Sequence, residues 1–215
     1  MKIFNKASLL LLSLVYLSAC AQPAKQKNTK KINMTNTEII TLGSGCFWCT
    51  EAIYQRLEGV VKVTSGYSGG FVDNPTYEQV CDKNTGHAEV CQIAFDTTKI
   101  SLDDILAVFW KTHDPTTPNQ QGNDIGPQYR SVVFYNSEHQ KLVAEKYKQE
   151  LTDAKAWEKP IVTTIETFKN FYAAENYHQN YYNNNTNQGY CRYVIGPKLE
   201  KFEKVFKNKL KKEGE

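Results

Sequence analysis

Ile39-Ile40-Thr41-Leu42-Gly43-Ser44-Gly45-Cys46-Phe47-Trp48-Cys49 passes within a few residues from one kind of backbone to another. The apolar, β-branched start reads as a strand, Gly43-Ser44-Gly45 as a tight turn, and residues 50–57 as a helix. A strand that turns directly into a helix belongs to an α/β or α+β sandwich. Outward from it, strand-like runs fall at 60–65, 88–95, 131–135 and 161–167. Helical patterns lie between them. At 101–112, Ser101 is a predicted N-cap, Asp103 and Asp104 fill the first turn, and Leu102, Ile105, Leu106, Phe109 and Trp110 form one apolar face. A second helix is predicted over 137–151. A C-terminal one sets Leu199, Phe202, Val205, Phe206 and Leu210 against a lysine-rich solvated face.

Composition narrows the class. The chain has 215 residues, 40% of them hydrophobic and 23% charged, with 26 Lys+Arg against 23 Asp+Glu. These are globular proportions, which exclude wholesale disorder and a multi-span membrane protein. A formal charge of +3 is no nucleic-acid signature. The length supports one domain with a full core, so the six cysteines are not needed as staples.

The N-terminus reads as an address. Lys2 and Lys6 precede or open an apolar run over 7–17, too short to span a bilayer, which ends in Leu17-Ser18-Ala19-Cys20. That tetrapeptide resembles a bacterial lipobox, whose cysteine carries the lipid. The expectation is a lipoprotein signal over 1–19, a flexible tether over 20–37 and one domain over 38–215. The product would be exported and membrane-anchored through Cys20, facing the periplasm or cell exterior. Removing Lys2 and Lys6 leaves 24 basic against 23 acidic residues, so part of the basicity belongs to the signal.

Cys46 sits where the strand meets the helix. Unpaired N–H groups and the positive end of the helix dipole favour a thiolate there, which predicts a lowered pKa and a nucleophile. The flanking glycines would let another molecule approach the backbone. Cys49 completes a Cys-x-x-Cys pair. Structural zinc lacks the remaining ligands: Cys81 and Cys91 are ten apart, Cys191 stands alone, and His87, His113, His139 and His178 are not at finger spacing. No metal is expected. Thiol–disulfide exchange and sulfoxide chemistry through a sulfenic acid both remain open. Phe47 and Trp48 would suit an apolar group such as a methyl. Glu89, in Thr85-Gly86-His87-Ala88-Glu89-Val90, is an acid at the head of an apolar strand, either exposed at the strand's end or held in a pocket where burial would raise its pKa and ready it to donate a proton.

Several segments taken together carry a resemblance. They are Gly45-Cys46-Phe47-Trp48, Val63-Thr64-Ser65-Gly66-Tyr67-Ser68-Gly69-Gly70, Asn74-Pro75-Thr76-Tyr77-Glu78-Gln79-Val80-Cys81, Thr85-Gly86-His87-Ala88-Glu89, His113-Asp114-Pro115-Thr116-Thr117, Gln121-Gly122-Asn123-Asp124-Ile125-Gly126-Pro127-Gln128-Tyr129-Arg130-Ser131 and Tyr190-Cys191. In this order they resemble the A-type peptide methionine sulfoxide reductases, which act on the S epimer. The resemblance implies a ferredoxin-like two-layer core with added strands and helices. It implies Cys46 as nucleophile, Glu89 as acid, and Tyr77 and Tyr129 as hydrogen-bond donors to the sulfoxide oxygen. Phe47 and Trp48 would form the methyl pocket, and Asp124 would hold the substrate main chain. It implies no metal or organic cofactor, an external thiol reductant such as a thioredoxin-like protein, oxidised proteins as substrates and a monomeric enzyme. Cys191 is favoured as the resolving thiol, in a mobile-looking segment; Cys49 is the alternative, its direct bridge to Cys46 conceivable but strained. Two other functions stay in view: a tethered thiol–disulfide oxidoreductase using Cys46 and Cys49, and a binding lipoprotein with structural cysteines.

Overall fold

The computed structural model describes residues 36–212. The expected signal, Cys20 and all but the last two residues of the expected tether lie outside the described residues. The elements follow in the order β1 (Thr37–Ser44), α1 (Phe47–Tyr54), β2 (Val60–Ser68), α2 (Tyr77–Cys81), β3 (Ala88–Asp96) and α3 (Leu102–Thr112). Next come a small hairpin of β4 (Gln120–Gln121) and β5 (Asp124–Ile125), then β6 (Ser131–Tyr135), α4 (Glu138–Asp153), β7 (Thr164–Thr167), β8 (Tyr172–Ala173), α5 (Tyr181–Asn184) and α6 (Gly196–Val205).

The main sheet has the order β7-β6-β1-β3-β2-β8. Its pairs are antiparallel except β6–β7, which is parallel. The inner four strands, β6-β1-β3-β2, are threaded β1-α1-β2 and β3-α3-β6, each helix joining two strands that are not neighbours. That is the ferredoxin-like core the sequence led us to expect, with β7, β8, α4 and the C-terminal segment added around it.

Strand parity sorts the residues into layers. In β3, Cys91, Ile93 and Phe95 face the helices, while Ala88 and Val90 face the other side with Val132 and Phe134 of β6, under Phe168 and Phe171. Glu89 shares the parity of Cys91, so the period of two that builds the core also drives a carboxyl into it. Helix starts follow their caps. Ser101 Oγ accepts from Asp104 N–H at 3.1 Å, and the Asp104 carboxylate reciprocates to the Ser101 N–H. Ser137 Oγ accepts the Gln140 N–H at 3.2 Å to cap α4, while the Gln140 side chain accepts the Asn136 N–H instead.

Some boundaries differ from those expected. Helix α1 begins at Phe47 rather than Thr50, because Cys46 itself is the N-cap. The 161–167 run pairs only from Thr164. Val205, placed on the apolar side of the last helix, is 58% exposed. Helix α6 ends there, and Leu210 returns to the body of the protein through a bridge to Leu57.

Candidate active site

The turn into α1 fixes the reactive thiol. Gly45 adopts φ +90°, and a Cβ there would stand 2.5 Å from Gln121 Cγ. The expected close approach is therefore made by the protein's own Gln121. Cys46 follows with φ −53° and ψ 123°, outside the helix, and its carbonyl accepts the Cys49 N–H at 3.1 Å. An N-cap side chain naturally meets the residue at N3, as in a capping box. Here that residue is Cys49, and the two thiols are hydrogen-bonded. They are 8% and 3% exposed, respectively.

Burial reverses the expected electrostatics of Cys46. Desolvation, the hydrogen bond to Cys49 and the nearby Glu89 push its pKa well above the ordinary thiol value, although the Trp48 N–H favours the thiolate. The lowered thiol is instead Cys49, at about 7: it accepts from Cys46, faces Lys198 and lies beside the Tyr190 hydroxyl. The first proton lost from the pair therefore leaves the charge on Cys49.

Glu89 is 2% exposed and lies under the N-terminus of α1, where its Oε2 accepts the Phe47 N–H at 3.0 Å. Burial raises its pKa to about 8, the Phe47 hydrogen bond opposes this, and Asp124 and Cys49 add to it. The carboxyl is thus protonated near neutrality, one peptide from the nucleophile, in the buried rather than the exposed of its two expected placements. Tyr77, first residue of α2, and Tyr129, ending the 3₁₀ turn Pro127–Tyr129, both lie within electrostatic reach of Glu89, and burial raises both phenols. Both therefore keep their protons and can donate. The Tyr77 phenol is hydrogen-bonded to Cys81, one helical turn on.

An aromatic cradle surrounds the other side. Phe47 is 1% exposed and packs against Tyr67 and His178, with ring centroids 5.9 and 5.0 Å away. Trp48 is held from three directions. Its Nε1–H donates to His178 Nδ1 at 3.1 Å, its ring stacks on Tyr181 at 3.7 Å and 6°, and Tyr190 meets it edge-on. Glu175 ties this cradle to the sheet by accepting from Tyr67 Oη–H and the Tyr77 N–H, both at 2.9 Å.

A cleft of about 300 Å³ opens over the thiols, lined among others by Cys46, Cys49, Asp124, Tyr190 and Lys198. Asp124 accepts the Tyr190 hydroxyl at 2.6 Å, which orients its carboxylate at the cleft wall. Cys191 does not sit in an open segment. It is fully buried at the start of a π-helical turn, Cys191–Ile195, that runs into α6, and it lies near enough to feel the Cys49 charge. The structure thus gives Cys49, not Cys191, the contact with Cys46. Cys81 ends α2 and Cys91 is buried in β3, as expected. Among the described residues, no group of three His, Cys, Asp or Glu side chains is arranged to hold a metal ion.

Glu175, His178, Tyr181, Tyr190 and Lys198 were assigned no role from sequence. Glu175 and His178 precede, Tyr181 lies within, and Tyr190 and Lys198 follow an Asn- and Tyr-rich stretch over 180–187, which has no periodicity to mark one face as important. Only the pairing of Tyr190 with Cys191 offered a signal.

A protonated buried acid, a pair of coupled thiols and an aromatic cradle on a ferredoxin-like scaffold define a cysteine-dependent oxidoreductase. Residues 38–210 match the family model described as peptide methionine sulfoxide reductase. The chain is 52% identical over 174 residues to peptide methionine sulfoxide reductase MsrA of Saccharolobus solfataricus, covering 81% of this chain and 97% of that protein. It is 53% identical over 176 residues to the MsrA of Sulfolobus acidocaldarius, covering 80% and 97%. Among solved structures, it resembles reduced Mxr1 from Saccharomyces cerevisiae with a TM-score of 0.68 and 36% identity, covering 76% of this chain and 94% of that one. Methionine sulfoxide reductase A of Corynebacterium diphtheriae gives 0.66 and 32%, covering 75% and 80%. The chain belongs to the peptide methionine sulfoxide reductase family, as a thiol-dependent peptide-methionine (S)-S-oxide reductase.

Proposed function

We propose that Cys46 attacks the sulfur of methionine-S-sulfoxide while Glu89 delivers its proton to the departing oxygen. The observation that carries this is the Phe47 N–H to Glu89 Oε2 bond of 3.0 Å, which fixes a neutral acid beside the nucleophile. Tyr77 and Tyr129 donate hydrogen bonds to the oxygen as charge develops on it. Phe47 and Trp48 receive the methyl group, and Asp124 engages the substrate main chain. The hydroxyl then passes from the methionine sulfur to Cys46 as the transient Cys46–sulfur bond breaks, so methionine leaves reduced and Cys46 is left as a sulfenic acid.

Cys49 then condenses with that sulfenic acid, forming the Cys46–Cys49 disulfide and releasing water. The reading is supported by the hydrogen bond between the thiols and by the low pKa of Cys49. Because Cys46 is an N-cap, the bridge need not bend a helix interior, which removes the strain expected from sequence. Cys191, buried beside Cys49, is available only after its turn opens. An external dithiol of the thioredoxin type reduces the disulfide, and no prosthetic group takes part. The enzyme works as a monomer, with every assigned side chain on one copy.

The protein acts outside the cytoplasm as a lipid-anchored repair enzyme. Support for this is the basic-then-apolar order of the first residues and Leu17-Ser18-Ala19-Cys20. An exported thioredoxin-like partner follows from that location.

The test is turnover of both epimers of N-acetylmethionine sulfoxide with dithiothreitol, followed by mass mapping after one turnover without reductant. Wild type should reduce the S epimer alone and yield a Cys46–Cys49 disulfide, and Cys46→Ser should be inactive. Activity surviving in Cys46→Ser would overturn the mechanism. A Cys46–Cys191 bridge would return the resolving role to Cys191.

A further inference from the structure

Beside the thiol cleft, a groove of about 660 Å³ runs from the C-terminal end of α3 along α6. Its lining includes Trp110, Trp157 and Phe202 together with three lysines, Lys111, Lys198 and Lys201. The single acid on its wall, Asp114, is engaged by the N–H and hydroxyl of Thr116 at 2.8 and 2.6 Å. Gln121 and Lys198 line both the groove and the thiol cleft, so one wall joins the two. At about 3.3 Å per residue, an extended chain leaving the cleft would enter the groove within a few residues.

We propose that this groove binds the polypeptide flanking the oxidised methionine and favours segments that combine acidic with apolar residues. This rests on the reductase reading and adds a sequence preference to it. The lysines give the charge complementarity, and the aromatic lining takes apolar side chains. The lysines of α6, expected to form a merely solvated face, thereby divide: Lys198 and Lys201 turn toward the groove.

The experiment compares nonapeptides carrying a central methionine-S-sulfoxide, identical except for Glu or Lys placed three residues away on both sides. Dithiothreitol serves as the only reductant, and N-acetylmethionine sulfoxide is the unflanked control. Wild type should show a kcat/KM about five- to tenfold higher for the Glu peptide at low ionic strength, falling toward parity in high salt. In Lys111→Glu/Lys201→Glu, at two exposed positions, that advantage should vanish while the control substrate keeps its rate. Equal rates for the two peptides in wild type, or a Glu preference that survives in the double variant, would overturn the proposal. So would a double variant impaired only when a thioredoxin-type protein replaces dithiothreitol, since the groove would then be a docking face for the reductant. Failure of the control substrate in wild type would sink the reductase reading itself, which separates the two.

Discussion

At the scale of single residues, the site pairs two groups shifted in opposite senses. Glu89 must carry its proton to donate it, so the rate of sulfoxide reduction should fall as pH rises through about 8. Cys46 must pass its proton to the Cys49 thiolate as it attacks, so the rate should also fall below about 7, where Cys49 is protonated. Single-turnover measurements across roughly pH 5–10 should give a narrow bell whose limbs belong to the coupled site rather than to isolated side chains. Glu89→Gln keeps the Phe47 hydrogen bond but has no proton to give. It should slow the step by about a hundredfold or more and remove the alkaline limb. A variant with unchanged kinetics would count against proton transfer by Glu89.

The elements hold these residues through contacts between segments that sequence leaves unrelated. Glu51, on α1, is 2% exposed, and its two carboxyl oxygens accept the Asn180 and Tyr181 N–H groups at 2.8 and 3.3 Å. This pins the start of α5, which carries Tyr181 against Trp48. Glu51→Ala leaves two backbone donors without acceptors and should cost about 1–3 kcal/mol, read as a lower urea midpoint. By loosening the Trp48 stack it should also raise KM more than it lowers kcat. An unchanged midpoint would show that the segment is held by other contacts. The histidines illustrate a similar division of labour. His113, expected only to be no zinc ligand, is buried with its pKa lowered to about 4 by desolvation. It bridges Phe109 O and Ser131 Oγ at 2.6 and 2.7 Å, joining α3 to β6.

For the whole molecule, the sheet sets the distances within the site. Strand parity puts Glu89 under α1, while the long return of the chain through 172–195 brings His178 and Tyr190 around Trp48. The proposed lipid anchor leads to a prediction of its own. Cys20→Ser should abolish palmitate labelling of the expressed protein and release it from membranes, with dithiothreitol-driven turnover unchanged. Labelling that persists in that variant would refute the anchor.

Sequence by itself determined the strand–turn–helix around Cys46, the acid on an apolar strand, the cap at Ser101, and the motif order that implied the family. These are local signals, because periodicity, turn chemistry and capping act over a few residues. Tertiary structure alone decided which thiol faces Cys46, that burial lifts the Cys46 pKa, and that Lys198 pulls the Cys49 pKa down. It also decided that Cys191 is enclosed rather than mobile, and that His178, 130 residues from Trp48, fixes the indole. Burial and charge at a site depend on which distant segments close over it, and no spacing along the chain records that.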